Sequence, residues 1–168
     1  NVVENLFIGR EKKTSLGTVN WKSTRLQSKE ILESLELDIP IDAVASSLSV
    51  AQQHMLEIVR ALSENPRLLL LDEPTSALSE KEIEWLFDII KKRAKEGTTV
   101  IYVSHRLDEV TELCERCVVL RDGRLVKMLD GTFNKATIIN SMIGHDVTLV
   151  RDVGTENTNE IIYECRNV

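Results

Sequence analysis

Residues 68–78 read LLLLDEPTSAL, an unbroken apolar run that is followed by two adjacent carboxylates. A short run of this kind, from Leu68 to Leu71, predicts a strand that is buried on both faces in a parallel sheet. Asp72 and Glu73 then lie at the carboxyl end of the strand, where open α/β sheets bind their ligands. The stretch predicts both the fold and the position of a site.

Helix and strand patterns alternate downstream of this strand. Ser79 and Glu82 have the spacing of a capping box, which predicts the start of a helix that ends at Gly97. A strand, a short helix, a hairpin and a last helix are predicted at 98–103, 107–113, 117–128 and 133–143. The alternation predicts an α/β layer with a parallel sheet over residues 67–143.

Helical periodicity dominates the part of the chain that precedes Pro66. Residues 21–37 predict one helix, and the residues after Ser49 predict another. The apolar positions expected to face the core are Leu26, Ile31, Leu32 and Leu35 in the first helix and Met55, Ile58, Val59 and Leu62 in the second. These helices predict a separately packed region at residues 1–66. Residues 144–160 read as a polar linker and 161–168 as the start of a further apolar strand, so we expect a chain cut at both ends.

The composition excludes several classes of protein. An apolar content of 42% in 168 residues is enough for a buried core, and no apolar run approaches the ~20 residues of a membrane-spanning helix. No signal peptide is recognisable at the start. The formal net charge of −6 offers no basic field for nucleic acid, which is therefore not an expected partner.

Cys114 and Cys117 form a C-x-x-C pair. Such a pair can be half of a zinc site or a redox pair, but no second Cys/His pair and no redox-type fold accompany it. Three cysteines without an export signal fit a reducing cytoplasm. We interpret these cysteines as structural.

Three short motifs carry candidate chemistry. Asp72 can hold a hard cation such as Mg²⁺ beside nucleotide phosphates, and Glu73 can orient or deprotonate an attacking water, although the pair alone also fits an ordinary acidic turn. Ser49 opens a helix whose free N–H groups can bind phosphate, but by itself it is only an N-cap. His105 follows a buried strand and can contact a γ-phosphate or the water, or can be a simple loop residue.

The order of these motifs resembles the ATPase cassettes of ABC transporters over about residues 1–143. LSVAQ at 48–52, a helix, LLLLDEPTSAL, a capped helix, and a strand leading into Ser104 and His105 follow one another as in that family. The resemblance implies a P-loop NTPase-like parallel sheet with an α-helical signature subdomain, incomplete at its N-terminus.

The resemblance also implies a role for each matching residue. Asp72 matches the Walker B residue that binds Mg²⁺, Glu73 the catalytic glutamate, and His105 the switch histidine that senses the γ-phosphate of ATP. The signature turn that touches ATP on a facing cassette matches Ser49, Val50, Ala51 and Gln52. The D-loop that crosses the interface between cassettes matches Ser76, Ala77, Leu78 and Ser79.

Two residues depart from the family pattern, and one motif does not occur. Ala51 stands where the family usually has glycine, which could crowd the backbone approach to phosphate, and Ser79 replaces the D-loop aspartate. No G-x-x-x-x-G-K-[ST] phosphate loop and no Q-loop glutamine occur in the sequence. We expect a complete cassette to carry the phosphate loop upstream of Asn1.

The helix at 48–62, LSVAQQHMLEIVRAL, is similar to the signature helix of monosaccharide-importer ATPases, which carry two cassettes in tandem. That resemblance implies the first cassette of an ATP hydrolase at the cytoplasmic face of the cell membrane. Its implied partners are a facing cassette, membrane permease subunits and, indirectly, a solute-binding protein. A regulatory half that does not hydrolyse ATP, or a soluble ATPase that acts on ribosomes or chromosomes, remains an alternative.

We predict that the 168-residue chain by itself binds little or no ATP, because the sequence lacks the loop whose lysine and backbone N–H groups hold the β- and γ-phosphates. Isothermal titration calorimetry with Mg-ATP checks this. Binding in the micromolar range would contradict it.

Overall fold

The computed structural model describes residues 1–143, so the expected linker at 144–160 and the expected strand at 161–168 lie outside the described residues. The elements in chain order are α1 (Val2–Phe7), α2 (Trp21–Ser34), a 3₁₀ turn (Ala45–Ser47), α3 (Val50–Leu62), β1 (Leu68–Asp72), α4 (Glu80–Lys95), β2 (Thr99–Val103), α5 (Leu107–Leu113), β3 (Arg116–Arg121), β4 (Arg124–Asp130) and α6 (Lys135–Ile143). Within residues 1–143, no helix combines the length and apolarity needed to cross a membrane.

The β1–β2 pair forms the parallel sheet predicted from the sequence. Leu68 lies opposite Thr99 at one end of the pair, and Asp72 lies opposite Val103 at the other. The crossover between these strands is α4, which is the connection that parallel strands require. The α/β class is therefore as predicted, and Asp72 lies at the carboxyl end of its strand.

One face of this sheet is covered and the other is not. Leu69 and Leu71 pack against α3 and α4, where the core includes Leu62, Leu86 and Ile90. The side chains of Leu68, Leu70, Ile101 and Val103 are about half exposed or more. The prediction that β1 is buried on both faces is wrong for the described residues: four leucines in a row put apolar groups on both faces, but helices of residues 1–143 cover only one.

The helical region differs from the prediction in α1 and in the face that α2 buries. The side chain of Asn1 accepts a hydrogen bond from the Glu4 N–H (3.0 Å) and caps α1, which we did not predict. In α2 the buried positions are Thr24, Ser28 and Leu32, four residues apart, whereas Leu26 is exposed on another side of the helix.

Polar residues can line the buried face of α2 because their hydroxyls have partners. Thr24 Oγ1 donates to the Asn20 carbonyl (3.0 Å), and Ser28 Oγ donates to the Thr24 carbonyl (2.9 Å). Such bonds to the preceding turn satisfy a hydroxyl without water. A hydrophobicity pattern misses this face because two of its three buried residues are not apolar.

The division of the chain at residue 66 remains a prediction, and two contacts bear on how the parts meet. Trp85 of α4 donates its indole N–H to the Leu35 carbonyl at the end of α2 (2.8 Å). Leu35, Leu78 and Trp85 also pack against both the core of the helical region and the core beneath β1. The helical region therefore rests directly on α4.

The hairpin β3–β4 is the other sheet of the described chain. Asp122 and Gly123 form its turn with φ values of 52° and 71°, as a type I′ turn requires. The hairpin packs against α5 and α6 through a core that includes Val110, Val119 and Ile138. This unit follows the site end of β2 and supports α5.

We predict that Leu71→Ala lowers the free energy of unfolding of this chain by about 2–5 kcal/mol, because it removes a buried side chain and leaves a cavity. Leu70→Ala is the matched control, since Leu70 is 64% exposed and Leu71 is 6% exposed, and we expect a loss below about 1 kcal/mol. Urea unfolding checks both variants. Equal losses at the two positions would show that both faces of β1 are covered.

Candidate functional site

The site begins where β1 ends. Asp72 is the last residue of β1, and the Glu73 N–H donates to the Val103 carbonyl (2.8 Å), so the hydrogen bonding to β2 continues one residue further. Glu73 has a φ of 47°, in the left-handed region that few residues other than glycine adopt. This conformation turns the chain sharply after the strand, and strained backbone of this kind clusters at functional sites.

His105 meets Glu73 across the ends of the two strands. The imidazole Nδ1 lies 2.7 Å from the Glu73 Oε1. Because a carboxylate accepts hydrogen bonds, we assign the proton to Nδ1, which leaves Nε2 without one in the neutral ring. Both side chains remain partly exposed. An acid–base pair at the surface of a strand end can exchange protons with a bound molecule.

A cleft of about 230 Å³ lies beside this pair, between α3 and the end of β1. It is lined by His54, Glu57, Ile58, Ala61, Leu70, Leu71, Asp72, Glu73 and Pro74. The Asp72 carboxylate is exposed, and within residues 1–143 it has neither a hydrogen-bond partner nor an ion-pair partner. Its oxygens are therefore available to a ligand.

The predicted signature turn lies elsewhere. Ser49 caps α3: its hydroxyl accepts from the Gln52 N–H (3.2 Å), and the Gln52 Oε1 accepts from the Ser49 N–H (3.1 Å). The N–H groups of Val50 and Ala51 belong to the first turn, where a helix supplies no acceptor. None of these four residues lines the cleft. The structure thus brings together Asp72, Glu73 and His105 but not the turn.

The predicted D-loop connects the carboxylates to α4. The Ser76 N–H donates to the Glu73 carbonyl (3.3 Å), and the Leu78 N–H donates to the Thr75 carbonyl (3.1 Å). Ser79 is the N-cap of α4, and the Glu82 carboxylate accepts from its N–H (2.7 Å) and its hydroxyl (2.8 Å). Serine in place of aspartate therefore serves the helix start here.

Glu109 is a site residue that we did not predict. It is 3% exposed in α5, and its carboxylate accepts hydrogen bonds from Thr75, Tyr102 and Ser104. Burial, and then the hydrogen bond to this carboxylate, raise the pKa of the Tyr102 phenol, so Tyr102 stays a donor. The only signal in the sequence is position: Glu109 shares the inward face of a short helix with Leu113.

The two cysteines of the C-x-x-C pair are free in the structure. Burial raises the pKa of both thiols, and Cys117 raises the pKa of Cys114 further. A raised pKa disfavours the thiolate that binds metals or reacts with disulfides. The part of the chain that the structure describes contains no cluster of metal-binding side chains. The raised pKa of both thiols favours the interpretation of structural cysteines.

Two carboxylates and a histidine lie at the ends of neighbouring parallel strands, downstream of a capped helix. The ATPase cassettes of ABC transporters, which the sequence resembles, are the class of protein with this arrangement. The family described as ABC transporter matches residues 2–76. A dimeric ATP-binding cassette in a post-hydrolysis state with ADP and Pi is 28% identical in sequence, with a TM-score of 0.65, over 77% of this chain and 56% of that one. Another cassette of an ABC transporter is 26% identical, with a TM-score of 0.65, over 83% and 61%.

Curated relatives are similar over most of the chain. The ribose import ATP-binding protein RbsA of Bacillus licheniformis is 38% identical over 98% of this chain and 34% of its own length. The L-arabinose transport ATP-binding protein AraG of Geobacillus stearothermophilus is 34% identical over 99% and 33%. The chain belongs to the ABC transporter family of ATP-binding cassettes. It spans about a third of the length of these relatives.

We predict that Glu73→Gly is more stable than Glu73→Ala by about 1 kcal/mol, because alanine retains the left-handed strain at this residue and glycine removes it. Glu84, which is exposed in α4, supplies the control: there the glycine variant should be less stable than the alanine variant by about 1 kcal/mol. Denaturant unfolding of the four variants checks this. The same order at both positions would mean that Glu73 carries no backbone strain.

Proposed function

We propose that the protein containing this chain hydrolyses ATP and uses that reaction to drive the import of a monosaccharide. The observation that carries the hydrolytic part is the Glu73–His105 contact of 2.7 Å beside the exposed Asp72. The names of the relatives, which concern ribose and L-arabinose, support the transport part. Which sugar this protein serves is a property of its partners.

Glu73 is the proposed base or water-orienting group. Its Oε1 accepts a hydrogen bond from His105, whereas no described residue donates to its Oε2. A water molecule bonded to that oxygen could be oriented for attack or could give up its proton. Glu73 lines the cleft beside Asp72.

His105 is the proposed partner of the same reaction. With its proton on Nδ1 and donated to Glu73, it holds the carboxylate in one orientation. Its Nε2 is then available to a phosphate oxygen or to the water. This is an expected task for a histidine, whose ring nitrogens can donate and accept at the same time.

Asp72 fits a magnesium ion. Its carboxylate lies on the cleft and is bonded to no other described residue. One or two carboxylates together with water and substrate phosphates are the usual ligands of Mg²⁺ in nucleotide sites, so a larger protein cage is not needed. When bound, the ion would neutralise charge on the phosphates.

Ser49, Val50, Ala51 and Gln52 are the proposed contacts to a nucleotide on a facing cassette. The first-turn N–H groups of α3 suit an anion, and their position outside the cleft supports a role toward a second cassette. Residues 76–79 are the proposed interface between the two. We also propose membrane permease subunits and, indirectly, a solute-binding protein as partners at the cytoplasmic face of the membrane.

We predict that Glu73→Gln in the complete protein lowers kcat for ATP by about 10²–10⁴-fold and retains ATP binding, because the amide cannot accept a proton from water. Glu84→Gln, an exposed carboxylate of α4, is the control and should turn over at the wild-type rate. Phosphate release and nucleotide binding measure the two effects. Wild-type turnover by Glu73→Gln would remove Glu73 from the reaction.

A further inference from the structure

We propose that Glu109 is a positioning residue that holds the loop of Glu73 and the loop of His105 in the arrangement in which they touch. The inference rests on the proposed hydrolysis for its functional consequence, but the contacts that carry it are independent of any ligand. Within residues 1–143, Glu109 forms no hydrogen bond or ion pair with Glu73 or His105. Its effect passes through the residues next to them.

The buried carboxylate of Glu109 accepts hydrogen bonds from three side chains and forms an ion pair with a fourth. Its Oε1 accepts from Thr75 Oγ1 (2.8 Å) and forms an ion pair with Arg106 Nη1 (2.9 Å). Its Oε2 accepts from the Tyr102 hydroxyl (2.7 Å) and from Ser104 Oγ (2.9 Å). An ionised carboxylate offers about four acceptor positions, so the three hydrogen bonds and the guanidinium of Arg106 engage both of its oxygens.

The donors lie on both sides of the proposed site. Thr75 follows Glu73 by two positions, and Ser104 and Arg106 are the residues on either side of His105. The Ser104 Oγ also accepts from the Arg106 N–H (3.0 Å), which ties the two flanks of His105 to each other. One carboxylate therefore fixes the distance between the chain segments that carry the acid–base pair.

The remaining donor anchors this arrangement to the core. Tyr102 lies within β2, and its ring packs edge to face against Phe87 of α4, with ring centroids 6.5 Å apart. Glu109 is thus held against a rigid strand and helix while it holds two loops. A group that sits on rigid elements can locate loop residues to within a fraction of an ångström.

Stability alone is a poor reason for this carboxylate. A buried charge costs desolvation, and an apolar side chain of similar volume is often at least as stabilising at such a position. A carboxylate whose two oxygens are both engaged by directional contacts instead specifies one arrangement of the side chains around it. The contact between Glu73 and His105 is the geometry that these bonds specify here.

The test uses Glu109→Gln, because an amide nitrogen cannot accept and the substitution also removes the charge that faces Arg106, so in either orientation of the amide at least one hydrogen-bond donor loses its acceptor. Glu112→Gln is the matched control: Glu112 belongs to the same helix, is exposed, and within residues 1–143 its carboxylate is hydrogen-bonded only to Lys91. In the 168-residue chain at fixed pH, the His105 ring nitrogen signals in an NMR spectrum should move away from their wild-type positions in Glu109→Gln. They should stay in place in Glu112→Gln.

The complete protein gives the second readout. We expect Glu109→Gln to lower kcat for ATP by roughly 10²-fold with ATP affinity retained, the size of effect that a displacement of about 1 Å can produce. In a His105→Ala background the same change should lower kcat by no more than about twofold, since residues that act as a unit are not additive. An equal loss in both backgrounds would identify a merely structural role and overturn the inference.

The outcomes separate this inference from the proposed hydrolysis. Unmoved His105 signals with unchanged kcat in Glu109→Gln overturn the positioning role and leave the hydrolysis standing. If the His105 signals move in Glu109→Gln but the complete wild-type protein does not hydrolyse ATP, the proposed hydrolysis is overturned and the positioning role stands. If Glu109→Gln does not fold, Ser104→Ala decides by the same two measurements, since it removes the hydrogen bonds of the Ser104 hydroxyl to Glu109 and to the Arg106 N–H.

Discussion

The hydrogen bond from the Glu73 N–H to the Val103 carbonyl is the contact on which the site depends. It extends the hydrogen bonding between β1 and β2 by one residue past their last paired residues. The two segments that follow these strands therefore begin side by side at the same edge of the sheet. The residues that follow, Glu73 on one side and Ser104 and His105 on the other, therefore become neighbours. If β1 and β2 were displaced by one residue, the side chains would swap faces and the acid–base pair would separate.

The residues that sequence reasoning could find are those whose role follows from local chemistry or from the end of a strand. The cap at Ser79 and the stripe of α3 depend on spacing alone, and both are present. Asp72 and Glu73 were predicted at the end of one strand and His105 just after another, and parallel strands present their carboxyl ends at one edge. The 2.7 Å contact between Glu73 and His105 is the structural result of that rule.

The errors have a common cause, which is that burial depends on what covers a residue and not on its type. The exposed Leu26 and Leu70 were predicted to be buried, whereas Thr24 and Ser28 are buried because their hydroxyls are satisfied within the helix. The burial of Glu109 was not predicted for the same reason. A carboxylate reads as a surface residue until its three hydrogen-bond donors and its ion-pair partner are known, and the most distant of them, Thr75, lies more than thirty residues away in the chain.

Glu73 and Glu109 are complementary parts of one arrangement. A left-handed conformation at a glutamate costs about 1–2 kcal/mol, and a strained residue persists only where its surroundings determine its conformation more than once. The Val103 carbonyl fixes the backbone of Glu73 from one side, and Thr75, held by Glu109, fixes the chain just beyond it from the other. Because the strain lies between these two fixed points, the carboxylate cannot relax back along the strand, and it stays within reach of His105.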